Sequence, residues 1–342
     1  MTIRHINGML FAGVAAIQSF GDLARIGAFV VDVDDGQPIP NVMVTASFDN
    51  DNGWKAWTEA APINHDTQMT DIHGRCRLSG KTNNGEVGCW VDGMQQGYYG
   101  TRKSVNFNFK HKTILGTWQP DNLVATIALQ RIEHPVPLFV KDVRLDGSRD
   151  ITDRIGVRLS YDLVKGDWLP PVGNGRYADI TFERLPRKKL GHAELQGRPD
   201  INGESFRDEI SVVFAGNDNG ILNMHSSLLE GIPIRSSPDV GFTSVYTLWQ
   251  EMDANMKYKN GNDKDKCLCF RIRTLKDERG QIKSSYYGKI YGDINIQLGY
   301  AYSIGGFGFL YYLNPTPNDR NLEWDMKNNL CPNPGKIGQF QP

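Results

Sequence analysis

The sequence has almost no excess charge and no long apolar segment. Thirty-eight lysines and arginines oppose 39 aspartates and glutamates, which gives a formal net charge of −1. A nucleic-acid partner requires concentrated positive charge, so this balance argues against one. No apolar run reaches the roughly 18 residues of a membrane-spanning helix. The sequence therefore predicts no transmembrane segment.

Sequence motifs for catalysis and cofactor binding are also missing. The chain lacks GxSxG, HExxH, a Walker A loop and a dinucleotide fingerprint, and its seven histidines form no pair at metal-ligand spacing. A glycine-rich stretch occurs at 305–308, but it lies between β-like runs with no helix after it, which indicates a bend. We therefore expect no enzymatic turnover and no cofactor.

The composition is that of a folded, turn-rich chain. Hydrophobic residues make up 39% of the 342 residues and aromatic residues 10%, which is enough for packed cores. The 36 glycines and 17 prolines separate short apolar or alternating runs. These features predict an all-β protein, and the length is typical of two domains.

Residues 1–21 have the three-part layout of a secretory signal. Arg4 is the only charged residue among them, Met9–Ile17 are apolar, and small residues precede Asp22. This pattern predicts export to the periplasm, cell surface or extracellular space, with cleavage after Gly21. The alternative is an amphipathic or buried N-terminal helix.

The next block, residues 22–134, has the pattern of a β-sandwich. Short apolar or alternating runs are bounded by turn residues, with no helical periodicity between them. The predicted strands cover Ile26–Val33, Val42–Ala46, Arg75–Leu78, Val105–Phe109 and Asn122–Ile132.

Two turn motifs in this block carry a resemblance to a family. They are Gly27-x4-Asp32-x3-Gly36-x-Pro38-Ile39-Pro40-Asn41-Val42-x-Val44 and Thr70-Asp71-x2-Gly74. Together they resemble the carboxypeptidase regulatory-like domain. The resemblance implies a transthyretin-like, Ig-like β-sandwich of exported bacterial proteins, and it implies no catalytic residues. The prolines favour an extended lead-in, and Gly74 supplies a positive φ.

A second block is predicted from 135 to 342, and it meets the first at a proline-containing seam at 133–137. It resembles no family that we recognise, and its apolar runs predict a larger β-sandwich-like domain with long loops at 186–206 and 257–266. One helix is predicted at Val245–Met256 and an irregular tail at Cys331–Pro342. Strands are predicted at Leu138–Leu145, Ile155–Leu163, Tyr177–Leu185, Glu209–Ala215, Cys267–Leu275, Ser284–Leu298 and Phe307–Leu313.

Two candidate binding features lie close together in the first block. Asp49 and Asp51 present carboxylates at alternate positions, which suits a weak calcium site, although Asp and Asn in such runs also simply form turns. Trp54 and Trp57 follow, and exposed aromatic rings stack on sugars. Packing of these rings in the sandwich core is the alternative.

The five cysteines are an odd number and include no CxxC pair. Cys76 and Cys89 flank Asn83-Asn84-Gly85, a strong turn signal, so a hairpin would bring their sulfurs together as a disulfide. Unpaired thiols packed as small apolar residues are the alternative. Cys267 and Cys269 are two apart on a predicted strand and should face the same way.

These observations lead to one functional hypothesis and two alternatives. We expect an exported, non-catalytic structural or adhesive β-sandwich protein whose partners are a surface polymer, a glycan or other protein subunits. A carbohydrate-binding module using Trp54, Trp57 or a tyrosine face is the first alternative. A hydrolase in the second block is the other, because a Ser-His-carboxylate triad or paired carboxylates can assemble from distant positions.

Overall fold

The computed structural model describes residues 22–48, 64–91, 95–99, 104–145, 158–224, 234–261, 266–296 and 307–334. Every regular secondary-structure element in these ranges is a β-strand, which confirms the predicted all-β class. The chain divides into two compact units between Ile132 and Glu133, at the predicted seam. Each unit has its own hydrophobic core.

The first unit is a sandwich of a three-stranded and a four-stranded sheet. The sheet orders are β4-β1-β9 and β3-β2-β5-β6, and β7 and β8 form a separate ribbon. The inward side chains of both sheets meet in one core. The strands are β1 Leu23–Asp32, β2 Met43–Phe48, β3 Asn64–Met69, β4 Arg75–Lys81, β5 Glu86–Val91, β6 Val105–Asn108, β7 His111–Lys112, β8 Trp118–Gln119 and β9 Leu123–Leu129.

The two turn motifs lie where the chain passes from one sheet of this sandwich to the other. Gly36 has a φ of 69° in the turn after β1, and Gly74 has a φ of 68° before β4. The Val30 amide donates to the Gly74 carbonyl at 2.8 Å, which joins that turn to the centre of β1. Both glycines therefore occupy left-handed conformations that other residues adopt at a cost.

The second unit is built from a six-stranded and a seven-stranded sheet. Their orders are β16-β19-β20-β21-β10-β22 and β12-β11-β13-β15-β17-β18, with β14 also paired to β15. The strands are β10 Val136–Leu145, β11 Arg158–Asp162, β12 Asp167–Trp168, β13 Ile180–Arg184, β14 Lys188–Leu195, β15 Arg198–Phe214, β16 Gly220–Asn223, β17 Val245–Met252, β18 Tyr258–Asn260, β19 Cys267–Lys276, β20 Ile282–Ile296, β21 Phe307–Leu313 and β22 Trp324–Asn329.

The six-stranded sheet is buried on both faces. Leu268 and Phe270 contribute to the large core, whereas Cys267 and Cys269 pack on the other face against Ile234. The two cysteines therefore do face the same way. Burial on both faces also explains why β19 begins with a continuous apolar run instead of an alternating one.

Three sequence predictions for the second block are wrong. Val245–Met252 is strand β17, followed by a turn, because its alternate side chains are buried and it pairs with β15. The predicted loop at 186–206 contains the β14–β15 hairpin, and the loop at 257–266 begins with β18. Most side chains of β14 are exposed, so this strand has no apolar periodicity by which it could be predicted.

Candidate functional site

The first and last strands described in the first unit lie side by side. β1 pairs with β9 in parallel over seven residue pairs, from Ile26–Leu123 to Asp32–Leu129. The Val33 amide extends the ladder by donating to the Leu129 carbonyl at 2.9 Å. β1 is thus the central strand of its sheet, and β9 is an edge strand.

In the second unit, the first and last of the described strands also pair in parallel. β10 pairs with β22 through Val136–Trp324 and Leu138–Asn329, with a bulge between them. The Asn329 side chain reinforces the pair, because its Oδ1 accepts from the Val140 amide at 3.0 Å and its Nδ2 donates to the Val140 carbonyl at 2.7 Å.

The buried carboxylate of Glu323 binds the backbone that leads into β10. Glu323 Oε1 accepts from the Glu133 amide and Oε2 from the His134 amide, both at 2.7 Å. Asn321 Nδ2 donates to the His134 carbonyl at 2.7 Å. The segment that precedes β10 is therefore bonded to the segment that precedes β22.

A second group of charges, with two buried carboxylates, links the two sheets of the second unit. Arg273 contacts Asp162 at 2.6 Å and Asp179 at 2.8 Å, and its guanidinium lies 4.5 Å from the Tyr177 ring centre. Burial raises the pKa of Asp179. Burial also raises that of Asp162, but backbone hydrogen bonds led by the Lys165 amide outweigh it and lower the pKa overall.

The third group surrounds Asp208, which is fully buried on β15. Arg187 binds its carboxylate in bidentate fashion at 2.9 and 2.7 Å, and Arg184 and Gln250 approach to 3.5 and 3.4 Å. In all three groups the carboxylate oxygens already accept bonds from backbone amides or arginines. Their arrangement holds chain segments together.

An exposed row of cations lies on the outward face of the three-stranded sheet of the first unit. Arg75, Arg77 and Lys81 alternate along β4, and the register places Arg25 of β1 opposite Ser79. None of the three β4 cations forms an ion pair with another residue in the part of the chain that the structure describes, whereas Arg25 contacts Asp121 at 3.4 Å.

A depression of about 760 Å³ lies beside this row. Gly27 leaves its floor open, and Phe29 and Val124 flank it. The Arg75 guanidinium lies 5.3 Å from the centre of the Phe29 ring. We name the row and the depression together the cationic face. The Arg75-x-Arg77 spacing is visible in the sequence, but only the register shows that it borders Gly27.

The sequence-predicted site residues have different outcomes. Asp49, Asp51, Trp54 and Trp57 lie outside the described residues. Within the described ranges, no group of three or more His, Cys, Asp and Glu side chains is placed to hold a metal ion. Those ranges also contain no helix long and apolar enough to cross a membrane.

The predicted Cys76–Cys89 hairpin is wrong. Cys76 lies on β4 and Cys89 on β5, which belong to opposite sheets of the sandwich, and both are free thiols, as are the other three cysteines. Both pack at the core between the sheets. Burial raises the pKa of Cys76 to about 11 and that of Cys89 to about 12.

No family model and no curated protein sequence matches this chain. Solved structures similar to it include a variant of the shaft pilin SpaA from Lactobacillus rhamnosus GG, with 11% identity and a TM-score of 0.24 over 75% of this chain and 89% of that one. A DUF3823 family protein from Parabacteroides merdae has 8% identity and a TM-score of 0.22 over 84% and 96%. The minor pilin of Streptococcus agalactiae has 9% identity and a TM-score of 0.19 over 85% and 90%. Likenesses this distant carry no argument about function.

Proposed function

We propose that this chain is an exported, non-catalytic structural or adhesive protein whose two β-sandwich units bear tension along the chain at a cell surface. The observation that carries this proposal is the parallel pairing of the first with the last described strand in each unit, β1 with β9 and β10 with β22.

Parallel pairing determines how a pulling force reaches the hydrogen bonds. The entry to the first strand and the exit from the last strand lie at opposite ends of the pair. Tension on the chain therefore slides the two strands past each other and loads their evenly spaced bonds together. An antiparallel terminal pair would instead open one bond at a time.

Side-chain bonds reinforce this resistance in the second unit. Both backbone groups of Val140 are bonded to Asn329, and the Glu323 carboxylate binds the two amides that precede β10. These contacts lie on the path that tension would follow.

The proposal includes a setting and partners. We infer export directed by residues 1–21, and other protein subunits, a surface polymer or a glycan as partners. We also propose that the first unit is a carboxypeptidase regulatory-like domain. The positive φ angles of Gly36 and Gly74, within the two motifs that suggested it, support this assignment.

Single-molecule pulling on the full chain through its two ends tests the mechanical part. We expect two separate rupture events at forces well above those that unzip a β-hairpin. Asn329→Ala should lower only the force of the second unit, because it removes both bonds to Val140. The matched control Asn328→Ala removes an exposed amide that bonds only to Asp325, and it should leave both forces unchanged. Ruptures at hairpin-unzipping forces would contradict the proposal.

Fractionation of native host cells tests the setting. We expect the protein at the cell surface or outside the cell, accessible to added protease, with Asp22 as its first residue. A mature cytoplasmic pool that retains Met1 would contradict export.

A further inference from the structure

The cationic face has charges that the fold itself does not use. Arg75, Arg77 and Lys81 point outward from one strand, and none of them has an ion-pair partner among the described residues. Three acidic side chains lie nearby, and all are engaged: Asp66 on β3 accepts from the Ser79 amide at 2.8 Å. Asp71 accepts from the His73 and Arg75 amides at 2.9 Å, and Asp121 faces Arg25.

The spacing of the row suits a linear ligand. Side chains two apart on a strand are separated by about 7 Å, so the row from Arg75 to Lys81 extends over about 20 Å. Arg75 is held against the Phe29 ring, which leaves the edge of its guanidinium to bind an anion in bidentate fashion. A ligand with regularly repeated anionic groups is the one that such a row fits.

The depression beside the row adds an apolar surface. Val124 is 61% exposed there, and Gly27 offers no side chain to fill the floor. The apolar C–H faces of a sugar ring suit such a surface, while carboxylates on the ring reach the arginines.

Two other polyanions fit less well. An acidic peptide that adds a strand to the edge of a sheet needs free backbone groups on β4. Those of Arg75 are bonded to Asp71, and β3 side chains bind the Ser79 amide at 2.8 Å and the Lys81 carbonyl at 3.4 Å. A nucleic acid would stack its bases on an open ring, but the Phe29 ring is covered by Arg75.

We propose that the cationic face binds an anionic polysaccharide, a linear glycan that carries carboxylate groups. Arg75 and Arg77 bind the carboxylates, and the sugar rings lie over Gly27 and Val124. This assigns a ligand to the first unit and stands independently of the mechanical role proposed above.

Titration calorimetry on the full chain with polygalacturonate and hyaluronate, and with neutral dextran as a control, tests the proposal. We expect binding of at least one acidic glycan that weakens with added salt, and no binding of dextran. The Arg75→Gln/Arg77→Gln double variant should bind on the order of tenfold more weakly or worse, since two charge-assisted contacts are lost.

Two further variants separate the site from general charge and from misfolding. Lys188→Gln/Lys189→Gln removes the same charge from exposed β14 in the other unit and should bind like the unaltered protein. Val124→Glu places a carboxylate beside the depression at an exposed position and should also weaken binding, with an unchanged melting curve.

Three results would overturn the proposal. Absence of binding to both acidic glycans removes the ligand class. Equal binding by the Arg75→Gln/Arg77→Gln variant removes the site. Binding of poly-glutamate, with neither acidic glycan bound, would assign the face to an acidic protein segment instead.

Discussion

Asp208 shows how the second unit keeps a charge inside its larger sheet. It is fully buried and is neutralised by bidentate Arg187 with Arg184 nearby. Asp208→Ala leaves both arginines without this carboxylate, so we expect a loss of about 3–5 kcal/mol in the free energy of unfolding. Denaturant titration measures it.

The exposed pair Lys189–Glu204 provides the control for that measurement. Its two side chains are 72% and 56% exposed, so Lys189→Ala should cost about 1 kcal/mol or less. Equal losses in the two variants would show that Asp208 is not held as described.

The same carboxylate predicts the direction of an acid effect. Burial raises the pKa of Asp208, but the hydrogen bonds and charges of Arg187 and Arg184 outweigh it, and the pKa lies below its usual 3.8. A carboxyl whose pKa is lowered by folding stabilises the protein above the unfolded value, and this stabilisation is lost as the pH falls through the folded value. We therefore expect the free energy of unfolding to fall below about pH 4.

Asp208→Asn checks that assignment, since Asn has the same shape and does not titrate. Its free energy of unfolding should be lower at neutral pH and should decline less steeply in acid. Asp162, whose pKa is also lowered, retains part of the slope, and Asp179, whose pKa is raised, opposes it. An acid dependence identical to that of the unaltered protein would contradict the prediction.

The cysteine thiols should react slowly in the folded protein. Burial raises the pKa of Cys267 to about 11 and that of Cys269 to about 12, as it does for Cys76 and Cys89. Since the thiolate is the reactive form, we expect slow alkylation of the native protein at pH 8. After unfolding without reductant, mass spectrometry should count five alkylated thiols. A count of three would mean that one disulfide forms.

At the scale of the element, Gly36 and Gly74 have nearly the same φ but different surroundings. Substituting each by alanine therefore distinguishes the cost of the left-handed conformation from the cost of a steric clash. A Cβ on Gly74 would lie 2.5 Å from the Val30 carbonyl oxygen, whereas one on Gly36 would meet nothing within 4 Å. Gly36→Ala should therefore cost only the left-handed conformation, about 1–2 kcal/mol. Gly74→Ala should cost clearly more, because the turn between β3 and β4 must also move away from β1. Thermal unfolding of the two variants measures the difference, and equal melting temperatures would contradict it.

Strands with a clear polar or apolar pattern were predictable, and those without one were not. Phe307–Leu313 agrees with the prediction at both ends, and β1 is longer than predicted at its start. The sequence does not predict strand β14 because its side chains are mostly exposed. The predicted helix at β17 is wrong because its apolar residues fit either period over so short a run.

The candidate site was less predictable than the fold, for a geometric reason. Arg75 and Arg77 flank Cys76 in the sequence, and nothing in that pattern indicates a binding site. Their meaning depends on Gly27, which only strand register places beside them. The predicted hairpin between Cys76 and Cys89 is wrong for a similar reason, because a strong turn signal does not specify whether the chain returns to the same sheet or crosses to the opposite one.

At the scale of the whole molecule, the two separate cores predict that the two units unfold independently. Among the residues that the structure describes, the large core of each unit consists of residues from that unit. We expect calorimetry of the full chain to resolve two transitions, and a fragment beginning at Glu133 to reproduce one of them. A single cooperative transition, with no stable fragment after limited proteolysis, would contradict this prediction.

The pairing of Asp32 with Leu129 also affects how the chain is made. β1 emerges from the ribosome first, but its partner β9 emerges only after about a hundred further residues, or about 5–20 s at ordinary rates of synthesis. Until then the central strand of that sheet has an open edge, and the nascent unit cannot complete its fold. A secretion channel that threads unfolded polypeptide would meet the first unit in that incomplete state.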